Sequence, residues 1–252
     1  MNPLVSIVMP AYNAAWSISR SIDSVLTQSY SEFELLIVDD CSKDNTLEIV
    51  RQYAQRDSRI RVIVCGENRG VAAVRNEGIA QAKGTYIALL DSDDVWLPDK
   101  LQRQMQLLKD TGAEIAYCSY DFIDEKDAPV LKPFLVPEST NYRKMLYSSV
   151  ISCSTAVVEA KLMKQHPFRS QWYHEDYVLW MELLKIPVKA VGVQEVLAHY
   201  RQVEGSRSNH KGNAAIERWK IYRKALGMNV FSSAVAFIGY ALNGIRKYYF
   251  CG

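Results

Sequence analysis

Four short apolar runs alternate with helix-periodic segments in the first 95 residues, and this alternation restricts the fold more than any other feature. The runs cover residues 4–9, 33–38, 60–64 and 86–90. Each is nearly continuous in Val, Ile, Leu or Met, the pattern of a strand buried on both faces. Between them, residues 15–28, 46–55 and 71–83 space their apolar groups at three and four, as in Trp16, Ile18, Ile22, Val25 and Leu26. Strand and helix in strict alternation predict an α/β fold, with a parallel sheet and right-handed crossovers. Among 252 residues, 48% hydrophobic, there is material for one large domain with a small appendage.

Two of the four strands end in acid. The second runs into Asp39-Asp40, and the fourth into Asp91, Asp93 and Asp94. Ligands of open α/β sheets bind at the carboxyl edge of the strands. Two readings of the second cluster stand. Pro98 and Asp99 suit the start of a following helix, so the acids are caps. Alternatively, three close carboxylates repel one another and call for a hard divalent cation, Mg²⁺ or Mn²⁺, shared with ligand phosphates. The recurrence of paired acids on two strand ends favours the metal reading.

Several function classes are excluded. No GxGxxG follows the first strand, and no GxxxxGK[ST] occurs anywhere, so neither dinucleotide nor phosphate-loop chemistry is indicated. A net charge of +2 does not call for nucleic acid. Cys41, Cys65, Cys118, Cys153 and Cys251 are scattered without a CxxC pair, which reads as reduced thiols rather than zinc ligands. The first ten residues lack the basic and long apolar regions of a signal peptide.

Beyond Lys100 the expected elements are a helix over 101–108, a strand over 113–120, an irregular excursion over 121–142 and a short strand over 154–158. Glu175 and Asp176 open a further helix. Acids in a first turn are favoured by the helix dipole, and a general base flanked by aromatics is the functional alternative. Residues 188–191 and 196–199 read as two short strands. His199-Tyr200-Arg201 lead into Ser206-Arg207-Ser208, which reads as a polar loop with basic groups able to close over phosphates.

The motifs VSIVMPAYN (5–13), LLIVDDCSKDNT (35–46), NRGVAAVRNEGI (68–79), YIALLDSDDVWLPDKL (86–101) and HEDYVLWMELL (174–184) occur in one order. In that order the chain resembles the family 2 inverting glycosyltransferases of the GT-A fold, of the kind used in bacterial surface polysaccharide assembly. The resemblance covers residues 4–201. It implies a GT-A domain over 1–210, with a nucleotide-sugar half (1–95) and an acceptor half (96–210). It implies that Tyr12 and Asp40 line the nucleobase site, that Pro10 binds the nucleotide-sugar, and that Arg75 contacts the donor. It implies that Asp91 and Asp93 end a DxD motif contacting ribose and metal–diphosphate, with Asp94 sharing the metal. Asp176 is implied as catalytic base. His199 is implied either at the metal or diphosphate, or in a structural hydrogen bond. The cofactor implied is Mn²⁺ or Mg²⁺, the donor a UDP-sugar, and the acceptor a glycan or lipid-linked hydroxyl. A nucleotidyltransferase would want a glycine-rich basic loop where PAYNAAWS stands, and a non-catalytic binding module would want the DxD or the base lost.

The last 42 residues, 211–252, form the appendage. A basic amphipathic helix is expected over 216–226. Residues 230–245 carry no charge, and Phe231, Val235, Ile238, Leu242, Ile245 and Tyr249 fall on one helical face. This run is short for a membrane span. It reads as a helix lying on a membrane surface, which fits a cytoplasmic enzyme peripheral to the membrane, or as one packed on the domain or on a dimer mate.

Overall fold

The computed structural model describes residues 2–203 and 211–249. In chain order its elements begin with β1 (Val5–Ala11), α1 (Ile18–Leu26), β2 (Phe33–Asp39), α2 (Thr46–Arg56), β3 (Ile60–Val64), α3 (Val71–Gln81) and β4 (Tyr86–Leu89). These seven are the expected alternation. The strands pair in parallel in the order β3-β2-β1-β4. Every residue of β1 and β2 is buried. Val5, Ile7 and Met9 point to α1, while Val8 points to α3. Both faces are thus covered, which is why these strands read as continuous apolar runs.

Then follow β5 (Val95–Trp96), α4 (Lys100–Thr111), β6 (Ile115–Ile123), β7 (Pro129–Phe134), β8 (Ser139–Thr140), α5 (Tyr142–Tyr147), β9 (Val157–Glu159), α6 (Ala160–Gln165), α7 (Glu175–Leu183) and β10 (Ala190–Arg201). The strand β9 inserts antiparallel between β4 and β6, so one sheet continues from the first 95 residues into those that follow.

Three expectations change. The excursion over 121–142 contains regular structure: β6 runs on to Ile123, and β7 folds back antiparallel on it despite Pro129 and Pro133, because it is an edge strand. The two strands expected over 188–199 are one strand, β10, parallel to β6, with register shifts at 193–198 that hid its continuity. Residues 153–155 are a 3₁₀ turn rather than strand, which turns the Ser154 hydroxyl toward the Asp91 amide at 3.1 Å.

The chain closes with α8 (Lys211–Lys220), a π-helical turn over Ile221–Ala225, and α9 (Val230–Tyr249). Ile221, Tyr222, Leu226 and Ala236 join the core on the α3 and α7 side of the sheet.

Gly84 marks where the α3–β4 turn crosses β1. A Cβ there would lie 2.6 Å from the Ser6 nitrogen and 2.7 Å from the Leu4 carbonyl oxygen. Both are backbone atoms, one in the buried β1 and one directly before it, and cannot swing aside. Gly84→Ala is expected to destabilise the fold by about 1–3 kcal/mol, read as a lower urea midpoint at unchanged m-value.

Candidate active site

The carboxyl ends of β1, β2 and β4 open on one cleft of about 560 Å³, closed on its far side by the start of α7. Of the residues singled out from sequence, Pro10, Tyr12, Asp40, Arg75, Asp91, Asp93 and Asp176 all line it. Asp94 and His199 do not.

The loops after β1 and β2 are tied to each other. The Lys43 amide donates to Asn13 Oδ1 at 2.7 Å, and the Asn13 amide donates to Ser42 Oγ at 3.1 Å. Asn13 accepts a positive φ of 49° to make this contact. The tie leaves Tyr12 and Trp16 about half exposed at the cleft, two flat rings facing open space. Such rings suit stacking on a planar base. Asp40 is buried, and its carboxylate accepts the backbone amides of Arg69 at 2.7 Å and Gly70 at 2.8 Å. It therefore holds the start of α3 as well as facing the cleft, a capping role invisible in the DD motif alone.

Arg75 crosses the floor. Its guanidinium is buried and donates from Nη2 to Asp91 at 2.6 Å and from Nη1 to Glu175 at 3.1 Å. Burial works against its charge, but Asp91 and Glu175 hold its pKa well above the ordinary arginine value. One cation thus joins the acidic loop after β4 to the first turn of α7, whose Glu175 lies 100 residues beyond Arg75.

Asp93 and Asp94 diverge although adjacent. Asp93 faces the cleft; burial and the neighbouring Asp91 push its carboxyl up to about 6. Asp94 is fully enclosed, accepts the Arg201 amide at 2.8 Å and is raised well above the usual carboxylate range by burial, Asp93 and Asp91. Arg201 ends β10 and was expected only to lead into the polar loop over 206–208, with no role of its own. Its guanidinium is instead buried, donating to the carbonyls of Asp93 at 2.7 Å and Asp124 at 2.5 Å and pairing with Asp127. It is the clamp that shapes the acidic loop. Residues 206–208 lie outside the described residues.

Three crowded carboxylates, two of them raised by burial and by neighbouring carboxylates, are the electrostatics that a cation relieves. Among the described residues, no group of three or more His, Cys, Asp or Glu is assembled to hold a metal. Asp91 and Asp93 are the carboxylates at the cleft, and two oxygen ligands suit Mg²⁺ or Mn²⁺ completed by ligand oxygens. His199 pairs through Nδ1 with Asp121, the structural alternative open to it.

Asp176 sits in the first turn of α7, partly exposed, with Oδ1 accepting the Tyr177 amide at 2.7 Å. Tyr173 and His174 stand beside it on the cleft, their rings edge to face at 5.0 Å. Glu175, read from sequence only as a helix opener, is the buried partner of Arg75. Its signal was present in the Glu-Asp pair, but periodicity does not say which acid faces inward.

A family model described as "Glycosyl transferase family 2" matches residues 6–165. The chain is 36% identical to the putative teichuronic acid biosynthesis glycosyltransferase TuaG of Bacillus subtilis (strain 168), over 97% of each chain. It is 34% identical to the UDP-Glc:alpha-D-GlcNAc-diphosphoundecaprenol beta-1,3-glucosyltransferase WfgD of Escherichia coli, over 98% of this chain and 96% of that one. Among solved structures it is similar in fold to S. aureus TarS 1–349 in complex with UDP-GlcNAc, with a TM-score of 0.76 at 19% identity, over 97% of this chain and 73% of that one. It is also similar to a Pyrobaculum calidifontis mannosyltransferase in complex with GDP-Man and Mn2+, with a TM-score of 0.72 at 17% identity, over 98% and 76%. These likenesses confirm the expected GT-A architecture.

Proposed function

The chain belongs to glycosyl transferase family 2, and we propose that it moves a sugar from a UDP-sugar to a hydroxyl of a lipid-linked glycan acceptor, with inversion, in bacterial polysaccharide biosynthesis. The observation that carries this reading is the single cleft in which Arg75 joins the acids after β4 to the acids of α7. Donor-side and acceptor-side groups are thereby held at a fixed separation. The lipid-linked acceptor draws support from the name of the Escherichia coli relative. A cytoplasmic setting, at the membrane face, suits the four free cysteines of the described chain.

In this reading Tyr12 stacks on the base, while Asp40 and Pro10 border it. Asp91 and Asp93 face the diphosphate. The chemistry supplied by Mn²⁺ or Mg²⁺ held there is neutralisation of the leaving nucleoside diphosphate. Asp176 accepts the proton of the acceptor hydroxyl as its oxygen attacks the anomeric carbon. The carbon–phosphate-oxygen bond breaks on the opposite face, and UDP departs with its electrons. One displacement inverts the centre, so no enzyme nucleophile is required.

The test is a screen of sugar nucleotides for Mn²⁺-dependent transfer or hydrolysis, with calorimetric titration of UDP. Asp93→Ala is expected to weaken metal-dependent UDP binding by at least about 100-fold. Wild-type protein that binds no nucleoside diphosphate with either metal would overturn the reading. Metal-independent binding with no turnover would point to a non-catalytic module.

A further inference from the structure

The helix α9 has two different apolar faces. Its inner face is docked: Ser233 and Ala236 are buried, and Gly239 lies so close to the Tyr147 ring that a Cβ would come within 2.4 Å of it. Phe237 packs edge-on against Trp219 at 6.0 Å, and Asn243 Nδ2 donates to the Tyr147 carbonyl at 3.2 Å. The outer face carries Phe231, Val235, Ile238 and Leu242, spaced four, three and four, each between 45% and 78% exposed. Phe231 is the most exposed large apolar side chain among the described residues. A docked helix has no need of an apolar outer stripe, and four aligned large side chains in water are unfavourable.

The charge around the stripe identifies its occupant. Arg218 is buried and Lys220 pairs with Glu217, and from Ile221 to the last residue there are four further basic residues and no acidic one, while the whole chain carries only +2. The helix beneath, α5, adds exposed Arg143 and Lys144. A two-fold dimer through this stripe would set each basic flank against its own copy, with no acid in the segment to answer it. A bilayer with anionic headgroups supplies both an apolar layer and the opposite charge. No helix among the described residues is long and apolar enough to cross a membrane, so the helix would lie flat.

The stripe is also rigidly linked to the catalytic side. Tyr222 Oη donates to the Leu146 carbonyl at 2.5 Å, and Tyr177 Oη to the Met145 carbonyl at 3.0 Å, both on α5. The Arg218 guanidinium stacks on Tyr177 at 3.6 Å and on Tyr240 of α9 at 4.5 Å. Tyr177 directly follows Asp176. We propose that the outer face of α9 seats the protein on an anionic membrane surface and so orients the Asp176 side of the cleft toward an acceptor held in that membrane. The orienting role rests on the transferase reading; the membrane seat does not.

The experiment is flotation of the full chain with vesicles of phosphatidylcholine alone or with about 30 mol% phosphatidylglycerol. Wild type is expected to float with the anionic vesicles and to be released by about 0.5 M NaCl, where charges are screened within ~4–5 Å. Ile238→Asp/Leu242→Asp is expected to lower the partition coefficient at least about 30-fold, with UDP affinity unchanged because both residues point away from the core. Wild type that stays with the aqueous fraction overturns the proposal, as does a double variant that floats equally well. So does a wild-type dimer, seen by sedimentation equilibrium, that the double variant makes monomeric while neither binds vesicles. Protein that binds UDP but not vesicles sinks the membrane seat and leaves the transferase standing; vesicle binding without UDP binding does the reverse.

Discussion

Asp176→Asn is expected to bind UDP with the affinity of the wild type and to lose sugar transfer by about 10²–10⁴-fold. The amide has the same size as the carboxylate and its oxygen can still accept the Tyr177 amide, so the first turn of α7 keeps its geometry. What it loses is the capacity to take a proton. Asp91, Asp93 and Asp40 are untouched, so donor binding should not move. Steady-state transfer together with calorimetric UDP titration separates the two effects. A variant that retains wild-type turnover would remove Asp176 from the chemistry and leave it a helix-opening acid.

Arg75→Met is expected to cost about 3–5 kcal/mol of stability, because it takes the buried cation away from the enclosed Glu175 charge and from Asp91. Asp91 is partly solvated and contributes less than Glu175, whose side chain is 8% exposed. Urea unfolding reads the loss as a lower midpoint. Arg75→Met/Glu175→Gln should recover part of the loss, since it removes the stranded charge along with its partner. If the single variant unfolds like the wild type, the bridge is not what holds the cleft together.

The two variants also separate what the cleft's acids do. In the proposed reading Asp176 acts on the acceptor, whereas Glu175, its neighbour, ties the first turn of α7 to Arg75. Adjacent residues on a helix point about 100° apart, so one can face the cleft while the other faces the core. The same division recurs after β4, where Asp93 lies on the cleft and Asp94 is enclosed.

Much of this was legible from residue order. Strands buried on both faces leave a continuous apolar signature, so β1 to β4 and their helices were evident, as was the acidic edge they share. Less regular elements were not. The strand β7 carries prolines and is exposed along its length, so it has neither the composition nor the alternation of a buried strand. The register shifts of β10 broke one strand into two apparent ones. For the tail, both readings of α9 hold a part of the structure: its inner face packs on the domain, while its outer stripe is free of it.

The sequence by itself determined the alternation of elements, the acids at the strand ends and the family motifs, because periodicity and motif spacing are local properties of the chain. Only the tertiary structure decided which of those acids reach the cleft. Asp94 is turned inward by the Arg201 amide, 107 residues away, and Glu175 is claimed by Arg75 across 100. The direction of a carboxylate in a loop is set by the partners that desolvation obliges it to find, and those partners are brought to it by the packing of the whole sheet.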